Sequence, residues 1–188
     1  MAKYSTKKIK KATHENAVND VFQYLSVIGR TCRRANNIEE KLHGVDVKVT
    51  RERNGEKTTK TLHVLPNTEF LYENTMTMEW ETQRLNRQTG VLLPVQDSLA
   101  KTLDVDFLLL YDGEADALLI IDWQAIKDNI LELGTLEKQE RKKGLNVTNI
   151  VIPFSALREE GVEPLLYQMR QLELKKSEWE LSNYFYIP

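Results

Sequence analysis

Apolar residues first recur at helical spacing. Ala17, Val18, Val21, Phe22, Leu25 and Ile28 fall on one face, with Thr13 placed to cap the helix and Gly29 to end it. Residues 30–43 are polar and read as a connection with one helical turn. The period then drops to two. Val45, Val47 and Val49 alternate with Asp46, Lys48 and Thr50, which predicts a strand. Asn54-Gly55 is a hairpin dipeptide, and Thr58 to Leu65 returns as the second strand with Leu62 and Val64 on one face. Pro66-Asn67 stops it, and Thr68 to Tyr72 is ambiguous. Thr75 to Gln83 predicts a third strand. Met76, Met78, Trp80 and Thr82 lie on one side, and Thr77, Glu79, Glu81 and Gln83 on the other. Consecutive strands pair most simply, so the 45–65 hairpin is expected to pair with 75–83 and to bring residue 64 near 77.

The second half is more apolar. Thr89-Gly90 makes a turn, and Pro94 argues against a central strand over 91–95. Asp97 to Thr102 reads as a loop or short helix. Val105 to Tyr111 and Ala117 to Ile121 are continuous apolar runs, expected as neighbouring strands buried on both faces. Asp112-Gly113 turns the chain between them. Asp122 is a natural N-cap for a helix carrying Trp123, Ile126, Ile130 and Leu133, which Gly134 ends or interrupts. Residues 137–143 are charged and expected to be exposed. Val147 to Phe154 predicts a strand, Ser155 caps a short turn, and Glu163 to about Lys176 reads as a helix. Tyr184-Phe185-Tyr186 is too apolar for a free end; it is expected to pack onto the domain, or onto a second copy as a homodimer. The order predicts an α/β (α+β) domain, a central mixed sheet with flanking helices, over residues 13–188. Residues 1–12 are expected to form a basic flexible arm.

Composition narrows the class without naming an activity. The 188 residues are 41% hydrophobic and 29% charged, with a net charge of −2, as in an ordinary globular protein. Cys32 is the single cysteine, which excludes an intramolecular disulfide and a Cys-rich zinc site. No apolar stretch follows the basic start as a signal peptide requires, and the longest apolar runs are too short to span a bilayer. The expectation is a cytoplasmic protein without a membrane partner. Charge is unevenly spread. Lys7, Lys8, Lys10 and Lys11 with Arg30, Arg33 and Arg34 make a basic side that suits DNA phosphates, unless the lysines are simply solvated and the arginines pair with Glu39 and Glu40. The acids at 104, 106, 112, 114, 116 and 122 suit a basic protein partner, unless they belong to a solvated turn.

Common catalytic motifs are missing. There is no Gly-rich phosphate loop and no Gly-x-Ser-x-Gly elbow. His14, His43 and His63 lack the spacing of a zinc motif. Cys32 would need a histidine brought to it by the fold, and a packed thiol is its plainer role. Carboxylates remain, and they suit a hard divalent cation such as Mg²⁺.

The run Asn36-Asn37-Ile38-Glu39-Glu40 followed by Gly44-Val45-Asp46-Val47 resembles the start of a PD-(D/E)XK nuclease core. So do Asn86 to Gly90, Asp104 to Leu110, Leu118 to Asp122 and Asn149 to Pro153. Together these pieces, over roughly residues 14–160, resemble the restriction-endonuclease-like superfamily of phage and restriction-type proteins. The resemblance implies an Asp on one strand, an acid-x-Lys on its neighbour, and a metal-dependent DNA endonuclease of phage or mobile-element type. Asp46 would be the first ligand. Where the acid-x-Lys should stand, this chain has His63-Val64-Leu65. Glu79 could share Mg²⁺ with Asp46, or Glu81-Thr82-Gln83 could serve as an acid-x-Gln variant. The implied catalytic set is Asp46, Glu79, Glu81 and Gln83. Asp46 as a structural residue, with the other acids on a solvated strand face, stays open. So does a non-catalytic nuclease-fold protein that binds protein or DNA as an inhibitor or accessory factor, and, more distantly, a virion or assembly protein.

Overall fold

The computed structural model describes residues 6–27, 30–67, 70–141 and 144–169. It is an α+β structure with a mixed central sheet and flanking helices. Helix α1 (Thr6–Val27) leads into β1 (Thr31–Arg34), α2 (Asn37–His43) and the hairpin β2 (Val47–Arg53) and β3 (Glu56–Pro66). After α3 (Phe70–Glu73) come β4 (Thr75–Arg84), β5 (Gln96–Asp97) and α4 (Leu99–Thr102). Then follow β6 (Phe107–Asp112), β7 (Ala117–Asp122), α5 (Trp123–Ile126), α6 (Ile130–Leu133), β8 (Thr135–Arg141), β9 (Leu145–Pro153), α7 (Phe154–Glu159) and β10 (Leu165–Gln168).

The central sheet has the order β1-β2-β3-β6-β7-β10. Its neighbours run antiparallel except β3 and β6, which are parallel. The register of β6 explains its unbroken apolar run. Leu108 and Leu110 enter one core with Met76, Met78, Ile150 and Ile152 of the second sheet. Phe107, Leu109 and Tyr111 enter the other, against Val18, Val21 and Leu25 of α1. Both faces are covered along Phe107–Tyr111, so the run stays apolar until Asp112 caps the following turn. The Asn54-Gly55 turn forms as expected, both residues taking positive φ.

Three expectations are corrected. The third strand does not pair with the hairpin. β4 belongs to a separate antiparallel sheet of order β5-β4-β9-β8. The edge of β3 is taken by β6, which is apolar on both faces, whereas β4 carries Glu79 and Glu81 and suits a sheet with an open face. The helix from Glu163 is instead β10 over Leu165–Gln168, where the open edge of β7 supplies hydrogen bonds that a lone helical turn would lack. The remainder of that segment and the aromatic end lie outside the described residues. The helix after Asp122 keeps its apolar face, with Trp123, Ile126 and Ile130 buried, but a 3₁₀ turn at Lys127–Asn129 divides it. Two charged segments also hold more structure than their composition suggested: β1 and α2 in 30–43, and the exposed edge strand β8. Helix α1 starts at Thr6, inside the segment read as an arm; the lysine side chains there lie outside the described residues. No helix among the described residues is long and apolar enough to cross a membrane.

Candidate metal centre

Asp46 is fixed by its neighbours on both sides. Asn36 caps α2 in a capping box with Glu39, and Gly44 ends the helix at φ 69°. The left-handed φ calls for glycine, and a β-carbon there would also push the Leu103 Cδ1 methyl, 2.5 Å away, out of place. The chain then turns directly into the sheet. Ala35 N–H donates to the Asp46 carbonyl at 2.9 Å, and Asp46 N–H donates to Leu62 O at 2.8 Å. The side chain, 4% exposed, accepts from Val64 N–H at 2.7 Å through Oδ2.

Two histidines meet that oxygen. His63 on β3 places Nδ1 2.9 Å from Asp46 Oδ2 and 2.7 Å from the Gly44 carbonyl. Both are acceptors, so Nδ1 carries the proton that bonds them, and Nε2 is the ring atom left for a ligand. His14 continues the stripe of Ala17, Val18 and Val21 that seats α1 on the sheet, and its Nε2 lies 3.3 Å from Asp46 Oδ2. One donor atom from each of His14, Asp46 and His63 lies within 4.8 Å of the others, so the cluster has the spacing of a metal site. Burial pushes the Asp46 carboxyl up, but the bonds and charges of the two histidines outweigh it and hold the group well below the usual carboxylate range. The hydrogen bond to Asp46, opposed in part by burial, raises His14 above its ordinary value.

These residues line a cleft of about 740 Å³. Glu79, Thr77, Asn149 and Arg141 of the second sheet face the same space, with Lys41 and Ser98 alongside. Arg141 Nη1 donates to Glu79 Oε1 at 2.6 Å. Glu79 thus lines the same cleft as Asp46, but it arrives from the second sheet rather than by strand pairing with the hairpin. A bulge separates Glu79 from Glu81. Glu81 pairs with Lys101, and Gln83 donates to the Leu93 carbonyl; neither lines the cleft.

Other sequence candidates fall into local roles. Arg33 pairs with Glu39 at 3.1 Å, and Arg34 donates to Asn19 at 3.1 Å. Arg30 is partly buried, and burial together with nearby Arg51 lowers its pKa. Asp106 clasps Thr61 and Lys60, Asp112 caps the turn at Glu114 and Ala115, and Asp122 accepts from Ala125 N–H as the expected N-cap. Asp104 lies 3.6 Å from Lys127 and 3.9 Å from His43. Burial pushes the Cys32 thiol up to about 11, so little thiolate exists at neutral pH.

The reading of the histidines by spacing missed the centre. His14 and His63 lie far apart in sequence and converge only because α1 packs on β2 and β3. One signal was present: His63 stands at the acid-x-Lys position of the resemblance.

Two imidazoles and one carboxylate are a donor set for a borderline divalent ion and leave further coordination positions open. The hydrogen bond from His63 Nδ1 is the outer-shell contact that orients a ligating ring. No protein-family model, curated protein or solved structure matches this chain.

Proposed function

We propose that this chain is a metal-dependent hydrolase of DNA phosphodiesters with a restriction-endonuclease-like core. The convergence of His14, Asp46 and His63 in the cleft carries this reading. Supporting it, Asp46 heads β2 and His63 stands on the neighbouring strand where an acid-x-Lys would begin. Glu79 adds a carboxylate to the same cleft, and Arg141 and Lys41 offer positive charge to a phosphate. A bound divalent ion would supply Lewis acidity and an activated water. The protein's own part is to keep Asp46 ionised, to fix the tautomer of His63, and to hold Glu79 against Arg141 as a proton acceptor within the cleft. The imidazole donors favour Zn²⁺, Mn²⁺ or Co²⁺ over the Mg²⁺ that a carboxylate pair would select.

A second reading is favoured by one residue. Leu65 stands where the resemblance calls for the lysine that steadies the nucleophile, and it brings no charge. A nuclease-fold protein that binds DNA or a basic protein without cutting would have such a site. Chelator-stripped protein titrated with Zn²⁺, Mn²⁺ and Mg²⁺, by calorimetry and by cleavage of supercoiled plasmid, separates the two. Metal binding with metal-dependent cleavage, both lost in Asp46→Asn, supports the hydrolase. Metal binding without cleavage supports the second reading. No binding at millimolar metal sinks the metal centre itself.

A further inference from the structure

The longest exposed apolar stretch among the described residues lies outside the core, on the chain that follows β4. β4 continues past Arg84 into an ordered hairpin. Leu85 bridges Leu92, Asn86 N–H donates to Val91 O at 2.8 Å, and Leu93 N–H donates to Arg84 O at 2.8 Å. Gly90 at φ 68° closes the turn, with its N–H on the Asn86 carbonyl. Yet Val91, Leu92, Leu93 and Val95 stay between 42% and 60% exposed. Chain that is hydrogen-bonded in place while showing consecutive apolar side chains to water marks a contact surface.

The chain on each side of the hairpin leads back to the cleft wall. Glu79 precedes it and Ser98 follows it, both line the cleft, and Ser98 Oγ donates to the Glu79 carbonyl. Leu99, next in the chain, lines the cleft as well. The charge is one-sided. Residues 82–96 contain no Asp or Glu, and the exposed Arg84 and Arg87 have no ion pair among the described residues. Apolar wedge residues on a ribbon flanked by unpaired arginines match a duplex, whose phosphates take the arginines and whose minor groove admits leucine or proline between base steps. A membrane surface would accept the apolar residues too, but it gives no reason for the ribbon to be rooted at a metal centre.

Resting on the phosphodiester reading, we propose that the 84–95 hairpin is a duplex-DNA wedge. Arg84 and Arg87 bind phosphates on either side of a base step. Leu92 and Leu93 enter the minor groove, bend the duplex and hold one strand along the cleft.

The test uses full-length protein in excess EDTA, so that no cutting occurs, with a short duplex carrying donor and acceptor dyes at its two ends. Three forms are compared: the parent, Arg84→Ser with Arg87→Ser, and Leu92→Ser with Leu93→Ser. The parent is expected to bind with steep salt dependence and to raise energy transfer as the duplex bends. The arginine variant is expected to flatten the salt slope by about 0.9 per lost phosphate contact, about 1.8 in all. The leucine variant is expected to keep the slope and lose the bend. Both should keep the parent's affinity for Zn²⁺, which reports an intact fold. If both variants bind and bend DNA like the parent, the wedge is overturned while the hydrolase reading stands or falls on its own metal and cleavage measurement. If the parent binds no duplex and instead adsorbs to anionic vesicles or dimerises through the hairpin, the wedge is overturned and the patch belongs to that other surface.

Discussion

Asp46 and Asp106 flank the same strand, and each accepts a hydrogen bond from its backbone. Asp46, at the head of β2, takes Val64 N–H at 2.7 Å; Asp106, at the head of β6 on the other side of β3, takes Thr61 N–H at 2.7 Å. Both carboxyls are pushed up by burial and pulled down further by their partners, ending below their ordinary value. The partners differ. Asp106 has the Thr61 hydroxyl and, at 3.1 Å, the ammonium group of Lys60. Asp46 has two imidazoles. An ammonium countercharge makes a clasp that holds two strands in register. A titratable countercharge makes a position where a proton can leave and a metal ion can enter, because imidazole is a ligand only when neutral. The burial of the two acids follows this division: the side chain of Asp46 is 4% exposed beside an open cleft, and that of Asp106 is 26% exposed.

The strongest way to break this contrast is to remove each charge without changing its shape. Asp46→Asn is expected to lower Zn²⁺ affinity at least about 100-fold in a calorimetric titration, since it removes a ligand rather than an outer-shell contact. Asp106→Asn should leave that affinity unchanged. Equal losses would mean that metal binding depends on the sheet as a whole and not on the triad.

Truncation tests what the two acids share. Asp46→Ala and Asp106→Ala each orphan one β3 N–H, so each should cost about 1–3 kcal/mol of stability in urea unfolding of metal-free protein. Metal should then separate them. Adding Zn²⁺ should raise the melting temperature of Asp106→Ala by mass action and leave Asp46→Ala where it was.

A pH scan of metal-free protein is expected to show a smaller effect of opposite sign for the two halves of the triad. Asp46 has a depressed folded pKa, so its contribution is present above its unfolded value near 3.8 and is lost as pH falls through the folded one. His14 has a raised folded pKa, so its contribution is present below 6.5 and is lost as pH rises through the folded value. Stability should therefore decline above about pH 6.5, while Zn²⁺ affinity climbs over the same range as His14 gives up its proton. His14→Gln should remove the alkaline decline. If the decline persists in that variant, its origin lies outside the centre.

The fold was legible where a local pattern had one outcome. The β2–β3 hairpin followed from Asn54-Gly55, and the two buried strands β6 and β7 from runs with no polar position. The partner of β4 was not legible, because pairing depends on which strand takes the free edge of β3, and β6 does so from more than forty residues away. The strand β10 was hidden for a similar reason: Leu165, Leu166 and Met169 carry helical spacing, and only the open edge of β7 makes the extended form better. Asp46 was legible by its place at the head of a strand. His14 and His63 were not, since a histidine on an apolar helix stripe and one within a strand each look like ordinary core residues until packing brings them to one oxygen.

The smallest expected effects fall on Glu79 and Glu81, and they refine the contrast between a clasp and a site. The two acids stand two residues apart on one strand. A bulge lies between them: Glu79 enters the cleft and Glu81 turns to Lys101. Glu79 is nonetheless held by Arg141 at 2.6 Å and lies outside the group of donor atoms formed by the triad. It is a clasp facing a site. Glu79→Gln should therefore weaken Zn²⁺ binding less than about tenfold, below the effect of Asp46→Asn. It should change stability by no more than about 1 kcal/mol, as expected of a partly exposed ion pair. Glu81→Gln should move neither metal affinity nor plasmid cleavage. A loss in Glu79→Gln as large as in Asp46→Asn would show that Glu79 leaves Arg141 to join the metal. The centre would then have two carboxylates and a harder donor set, and the expected preference for Zn²⁺ over Mg²⁺ should narrow in the same titration.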